Sequence, residues 1–163
     1  MPRSLRSNCP NTFYHVFSRG VDRRAIFKDQ IDYDKFLDLL GNMVSRFDLE
    51  VHAFVVLANH YHLLLRTRDP NLSEAMQWFG STYATWFNKR HQRIAHLFQG
   101  RFKSFVIEND RYLITACLSI HRNPIRAGIV RHFSAYPMEQ LFFFLRHEEK
   151  DLVVDHVCFL RDV

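Results

Sequence analysis

The residues with the clearest chemical potential are Asn59-His60-Tyr61-His62. On a β-strand, side chains alternate between faces. His60 and His62 would then point one way and Tyr61 and Leu63 the other. Two imidazoles on one face can share one metal ion, although a His-x-His pair also occurs as two ordinary surface or core histidines. A divalent ion held beside a phosphate would polarise a non-bridging oxygen and stabilise the charge that builds in phosphoryl transfer. Imidazole also suits zinc. With no cysteine nearby, and if the ligand is a phosphate, Mg²⁺ or Mn²⁺ is the expected ion.

A polyanion partner fits the charge. Net charge is +5, distributed unevenly. Residues 1–130 carry 18 Lys/Arg against 11 Asp/Glu, and residues 131–163 carry 4 against 6. Between Ala75 and Ile107 there is no acidic residue, while Lys89, Arg90, Arg93, Arg101 and Lys103 fall there. Such a strip suits nucleic acid, and it equally describes a solvated face. Arg101 and Lys103 flank Phe102 on a predicted strand and so share a face, where phosphate contact is expected. Arg19 precedes Gly20, which can adopt positive φ in a turn; Arg19 is a candidate phosphate contact, and a plain turn accounts for it equally well.

The elements that must position these groups can be read from periodicity. Thr12–Ser18 (TFYHVFS) reads as a strand closed by Gly20. Phe36, Leu37, Leu40, Met43, Val44 and Phe47 recur every three or four positions, which predicts an amphipathic helix over 31–47. Strands follow at 50–57 and 61–67, joined tightly by Ala58-Asn59. Asn71 with Glu74 three residues on predicts a capped helix start, followed by the stripe Leu72, Met76, Phe79, Tyr83, Phe87. Trp78 and Trp86 read as core anchors. A fourth strand spans 102–107, and Asn109-Asp110 can cap a last helix that Pro124 should end. The order strand, helix, strand, strand, helix, strand, helix suits an α+β, ferredoxin-like antiparallel sheet with helices on one face. After Val130 the pattern weakens.

The length, 163 residues, fits one domain. Sixteen phenylalanines imply a heavily aromatic core with a minority left for base stacking. Three scattered cysteines make no CxxC pair, so no zinc knuckle or disulfide framework is suggested. Reduced thiols fit a cytoplasmic protein. No apolar run nears the roughly 18 residues of a membrane span, and the start lacks the apolar core of a signal peptide.

Five blocks carry a family resemblance: YHVFSRGVDRRAIF (14–27), VHAFVVLANHYHLLLRT (51–67), NLSEAMQWFGSTYATWFNKRH (71–91), HLFQGRFKS (96–104) and RYLITACLSIHRNPIRAGIV (111–130). In order and over residues 12–130 they resemble the HUH single-strand DNA transposases, U being a hydrophobic residue, and within them the REP-associated tyrosine transposases. The resemblance implies a transposase-like domain over 1–130, with 131–163 as an extension packed on it. It implies a ferredoxin-like fold, recognition of hairpin and single-stranded DNA, and a divalent ion held by His60 and His62. It implies a nucleophilic tyrosine on the last helix, four residues before an Asn-Pro pair, and a polar metal ligand at the Asn. Asn123-Pro124 is present, so Asn123 takes the ligand position, but the nucleophile position is Ser119. Relatives include monomers and homodimers.

Serine is a poor stand-in. A phenol has a pKa near 10, an aliphatic hydroxyl is a far weaker acid, and the serine oxygen falls short by the length of a ring. A misplacement of about 1 Å can cost about a hundredfold. Tyr112, seven residues earlier, would face the same way on a helix but about 10 Å away along its axis; packing near the helix start is its plainer role. A metal-activated water is another route, with His121 as a base that sits on a different helix face. Loss of cleavage with retained DNA binding, as a repressor or host-adapted binder, is the third. An RNA-binding sheet is the reading from another class; the strands show no aromatic pair of the kind that stacks RNA bases. His15, His52, His91 and His96 have no partner identifiable from sequence.

Overall fold

A computed structural model describes residues 8–109, 111–113, 115, 116 and 120. Its elements are β1 (Thr12–Arg19), α1 (Gln30–Phe47), β2 (Leu49–Leu57), β3 (His60–Thr67), α2 (Leu72–Arg90) and β4 (Lys103–Ile107), with a short 3₁₀ turn at Val21–Arg23. The sheet order is β2-β3-β1-β4, every pairing antiparallel. β3 lies between β1 and β2, so two β-α-β units interleave in the ferredoxin-like manner. The fold class expected from the element order is therefore the one observed.

Both helices form where the apolar spacing placed them. Asp29 caps α1 by accepting from Asp32 N–H at 3.2 Å. The α2 stripe Leu72, Met76, Phe79, Tyr83 and Phe87 is buried throughout. Phe36 at the centre meets Phe79 at 4.8 Å and Tyr83 at 5.3 Å, edge to face. Each such ring contributes about 1.5–3 kcal/mol by burial, and together they account for much of the phenylalanine content. From the sheet, Tyr14, Val16, Tyr61, Leu63 and Leu65 complete this core.

The single-sided helical cover holds for α1 and α2 only. On the opposite face, Ala116 and Ile120 pack with Ala53, Val55, Leu57, Leu64 and Ile107, so helical residues flank the sheet on both sides. This second cluster depends on a β-bulge. The register shifts between Val51 and Ala53, which turns Leu49 and Val51 toward the helical core and Ala53, Val55 and Leu57 away from it.

Three local expectations change. Asn71 makes no side-chain cap to α2; its Nδ2 donates instead to the Phe47 carbonyl at 2.8 Å, closing the end of α1. Gly20 has φ −64, not a positive value. Its need for glycine is steric, because a Cβ there would clash with the Arg24 carbonyl oxygen. Finally, β4 begins at Lys103, so Arg101 precedes the strand rather than sharing a face with Lys103. Residues 131–163 lie outside the described residues, as does the proposed 1–130 boundary.

Candidate metal and phosphate site

β3 presents His60 and His62 on the same face as Leu64, the face where Ala116 and Ile120 pack. The antiparallel registers place Phe13, His15, Phe17 and Arg19 of β1 there too, opposite Arg66, Leu64, His62 and His60. Lys103, Phe105 and Ile107 of β4 face the same way, opposite Phe17, His15 and Phe13. The chemically active residues of three strands thus share one side of the sheet.

Both candidate ligands are oriented through Nδ1. His60 Nδ1 donates to Asn59 Oδ1 at 2.6 Å. The Asn59 amide is itself fixed, because its Nδ2 donates to the Arg23 carbonyl at 3.2 Å. The tight turn at Gly20 that brings Arg23 to this position therefore sets the orientation of His60. His62 Nδ1 lies 3.0 Å from His15 Nε2, and the two share one proton in a hydrogen bond. With His62 Nδ1 as the donor in that pair, its Nε2 would be the coordinating nitrogen, the usual arrangement in which a ligating histidine is held through its other nitrogen. The rings of His60 and His62 are 5.3 Å apart, centroid to centroid.

Electrostatics favours the neutral, ligating form. The pKa of His62 is pushed down to about 4, first by burial and then by the imidazoles of His15 and His60. Burial lowers His15 as well. Phe17 stacks on His62 at 5.2 Å and 24°, fixing the ring plane. The donor set fits a divalent ion with two imidazole nitrogens. Among the described residues no third His, Cys, Asp or Glu joins them in a metal-holding cluster.

His15 is the residue the sequence did not disclose. No periodicity shows it; only the β1–β3 register brings it to His62, 47 positions away. The pair Phe17–Phe105, at 6.0 Å and 23°, escaped for the same reason: the sheet does carry adjacent aromatics on its exposed face.

The other candidates separate. Lys103 lies on the histidine face, with Nζ 5.9 Å from the Phe17 ring. Arg19 lies at its end and donates from Nε to Gln99 Oε1. Arg90 belongs to a different structure: it bonds Asp29 Oδ2 at 2.8 Å and the fully buried Asp32 at 2.6 Å. His91 joins at 2.9 Å. Arg90 thus takes part in an ion pair joining α2 to the start of α1. Lys89 is exposed, and Arg93 lies over the Phe87 ring at 5.6 Å; both flank the end of the helical layer. Arg101 is exposed and borders a cavity of about 770 Å³ with Gln77, Ser81, His96 and Phe102. The basic strip is thus divided between two surfaces. Tyr112 is 37% exposed at the first turn after Asn109, whose Oδ1 accepts from its N–H at 2.9 Å. Ser119, His121 and Asn123 lie outside the described residues.

Fold and site together define a ferredoxin-like domain with an oriented two-histidine strand. The family model for IS200-like transposases matches residues 8–122. The chain belongs to that family. Among solved structures it is similar to a REP-associated tyrosine transposase bound to a REP hairpin, with a TM-score of 0.73 and 18% identity over 100% of this chain and 99% of that one. It is also similar to a provisionally assigned transposase from Deinococcus radiodurans R1, with a TM-score of 0.48 and 18% identity over 72% of this chain and 96% of that one. No curated protein matches the chain.

Proposed function

We propose that this transposase-family chain binds hairpin and single-stranded DNA against the histidine face and holds a divalent ion there, Mg²⁺ or Mn²⁺, through His60, His62 and Asn123. The carrying observation is that both histidines project from one face with Nδ1 already engaged. When bound, the ion would supply charge stabilisation at the scissile phosphate. Asn59 and His15 hold the two imidazoles in place, and burial keeps His62 unprotonated. Lys103, opposite Phe17, and Arg19, opposite His60, add positive charge to the same face. The solved relative bound to a hairpin supports the DNA class. Metal-dependent strand cleavage and rejoining is the family activity. A soluble cytoplasmic location, as monomer or homodimer, is part of this reading.

A second reading, a DNA binder with impaired cleavage, is favoured by the tyrosines. Tyr14, Tyr61 and Tyr83 are buried in the helical core, on the side away from the histidines. Burial raises the pKa of Tyr61 and Tyr83 far above the ordinary phenol value, which disfavours the phenolate that would attack a phosphate. Tyr33 lies on α1. Among the described residues Tyr112 alone remains, and the nucleophile position is Ser119.

One assay separates the readings. Labelled hairpin DNA is incubated with the chain and Mn²⁺, and cut and protein-linked DNA are scored. Binding without cutting supports the impaired binder. Covalent adducts gained by Ser119→Tyr identify the missing nucleophile. Wild-type cutting abolished by Tyr112→Phe identifies a relocated one. Absence of any DNA binding would refute both.

A further inference from the structure

Phe105 is a large apolar side chain left 51% exposed on the histidine face. Single exposed apolar residues are common and need no explanation. This one belongs to a ladder. It stacks on Phe17 at 6.0 Å and 23°, and Phe17 stacks on His62 at 5.2 Å and 24°. Three near-parallel rings on three adjacent strands run from a candidate metal ligand out to solvent.

The charge around this ladder is one-sided. β1, β3 and β4 contain no Asp or Glu. Their three cations, Arg19, Arg66 and Lys103, all project from the histidine face by the strand registers. Arg66 is engaged by Glu50 at 3.5 Å, at the far end. Lys103 lies at the ladder itself, 5.9 Å from the Phe17 centroid. An exposed aromatic face beside a cation, in line with a phosphate-binding site, matches how proteins hold unpaired bases: the ring stacks and the cation follows the backbone.

We propose that Phe105 is a stacking platform for an unpaired nucleobase of the DNA strand whose phosphate lies at His60 and His62. The inference rests on the DNA-binding reading above and adds to it a contact specific to the single-stranded flank.

The test uses the full chain and a DNA hairpin enriched by the wild type from a randomised-stem library. The hairpin is offered bare and with an oligothymidine flank, and also with a flank containing 2-aminopurine. Phe105→Ala is expected to weaken binding of the flanked hairpin about tenfold and to leave the bare hairpin unchanged. Phe105→Trp should restore the affinity. The 2-aminopurine fluorescence should be quenched by the wild type and by Phe105→Trp but not by Phe105→Ala. Equal binding of the flanked probe by Phe105→Ala overturns the proposal while leaving the DNA-binding reading intact. A wild-type dimer that Phe105→Ala converts to monomer, in size-exclusion chromatography, assigns the ring to a second copy and overturns it also. A matched RNA flank bound more tightly than the DNA flank overturns the DNA assignment. If the wild type binds neither probe, the functional reading fails and this inference with it.

Discussion

The two faces of the sheet are built from the same strands and serve different ends. Toward α1 and α2, β1 and β3 present Tyr14, Val16, Tyr61, Leu63 and Leu65, all at or near zero exposure. Away from them, the alternate residues include His15, Phe17, His60 and His62, half-buried and mostly polar, beside the buried Leu64. The period of two along a strand makes this division possible. One face can be packed for stability while its neighbours, one residue on, are left to hold a ligand. The bulge between Val51 and Ala53 shows that the division is adjustable, since it hands three residues of β2 to the histidine side.

If the faces are separate in this way, substitutions on them should have separable effects. The largest is expected in the helical core. Phe36→Ala removes the ring that meets Phe27, Tyr61, Phe79 and Tyr83, and should cost about 3–5 kcal/mol in denaturant unfolding. An effect below about 1 kcal/mol would show that this face is not the stabilising one.

The next concerns pH. The folded pKa of His62 is near 4, below its ordinary value, so the unfolded chain binds the proton more readily. Stability should therefore fall as pH drops from about 6.5 toward 4 and level off below that, by at most about 3 kcal/mol from this group. His62→Asn should flatten that part of the stability–pH profile. An unchanged profile would mean that the ring is not desolvated as described.

Smaller still is the loss expected from His15→Phe. The ring is kept and the hydrogen bond to His62 removed, so Mn²⁺ affinity by calorimetry should fall about tenfold or more, with little change in melting temperature. Full affinity in this variant would make His15 a bystander. The smallest effect is Lys103→Ala. Stability should stay within about 0.5 kcal/mol, while the salt slope of DNA binding drops by about 1. Lys89→Ala, at the end of the helical layer, should leave that slope unchanged if the DNA lies on the histidine face.

How much of this could be read from the residues depended on sequence separation. The helices and the alternation of His60, Tyr61 and His62 are local patterns, and the structure places those side chains where the patterns put them. Contacts fixed by strand pairing were hidden. His15 meets His62, and Phe17 meets Phe105, only through registers that no short window reveals. Arg90 looked like part of a free basic strip because its partners, Asp29 and Asp32, lie some 60 residues earlier. Asn71 satisfied the pattern of a helix cap, yet its amide is drawn to the Phe47 carbonyl. Gly20 was legible as a turn residue but not as a point of close backbone approach.

In the proposed site, His60 and His62 would together hold the ion beside a DNA phosphate. Mn²⁺ titration of the full chain, followed by electron paramagnetic resonance with and without hairpin DNA, tests it most directly. A single site is expected, tightened by DNA and lost in both His60→Ala and His62→Ala while the fold is retained. Saturable Mn²⁺ binding that survives both substitutions, or no binding by the wild type with DNA present, would contradict it.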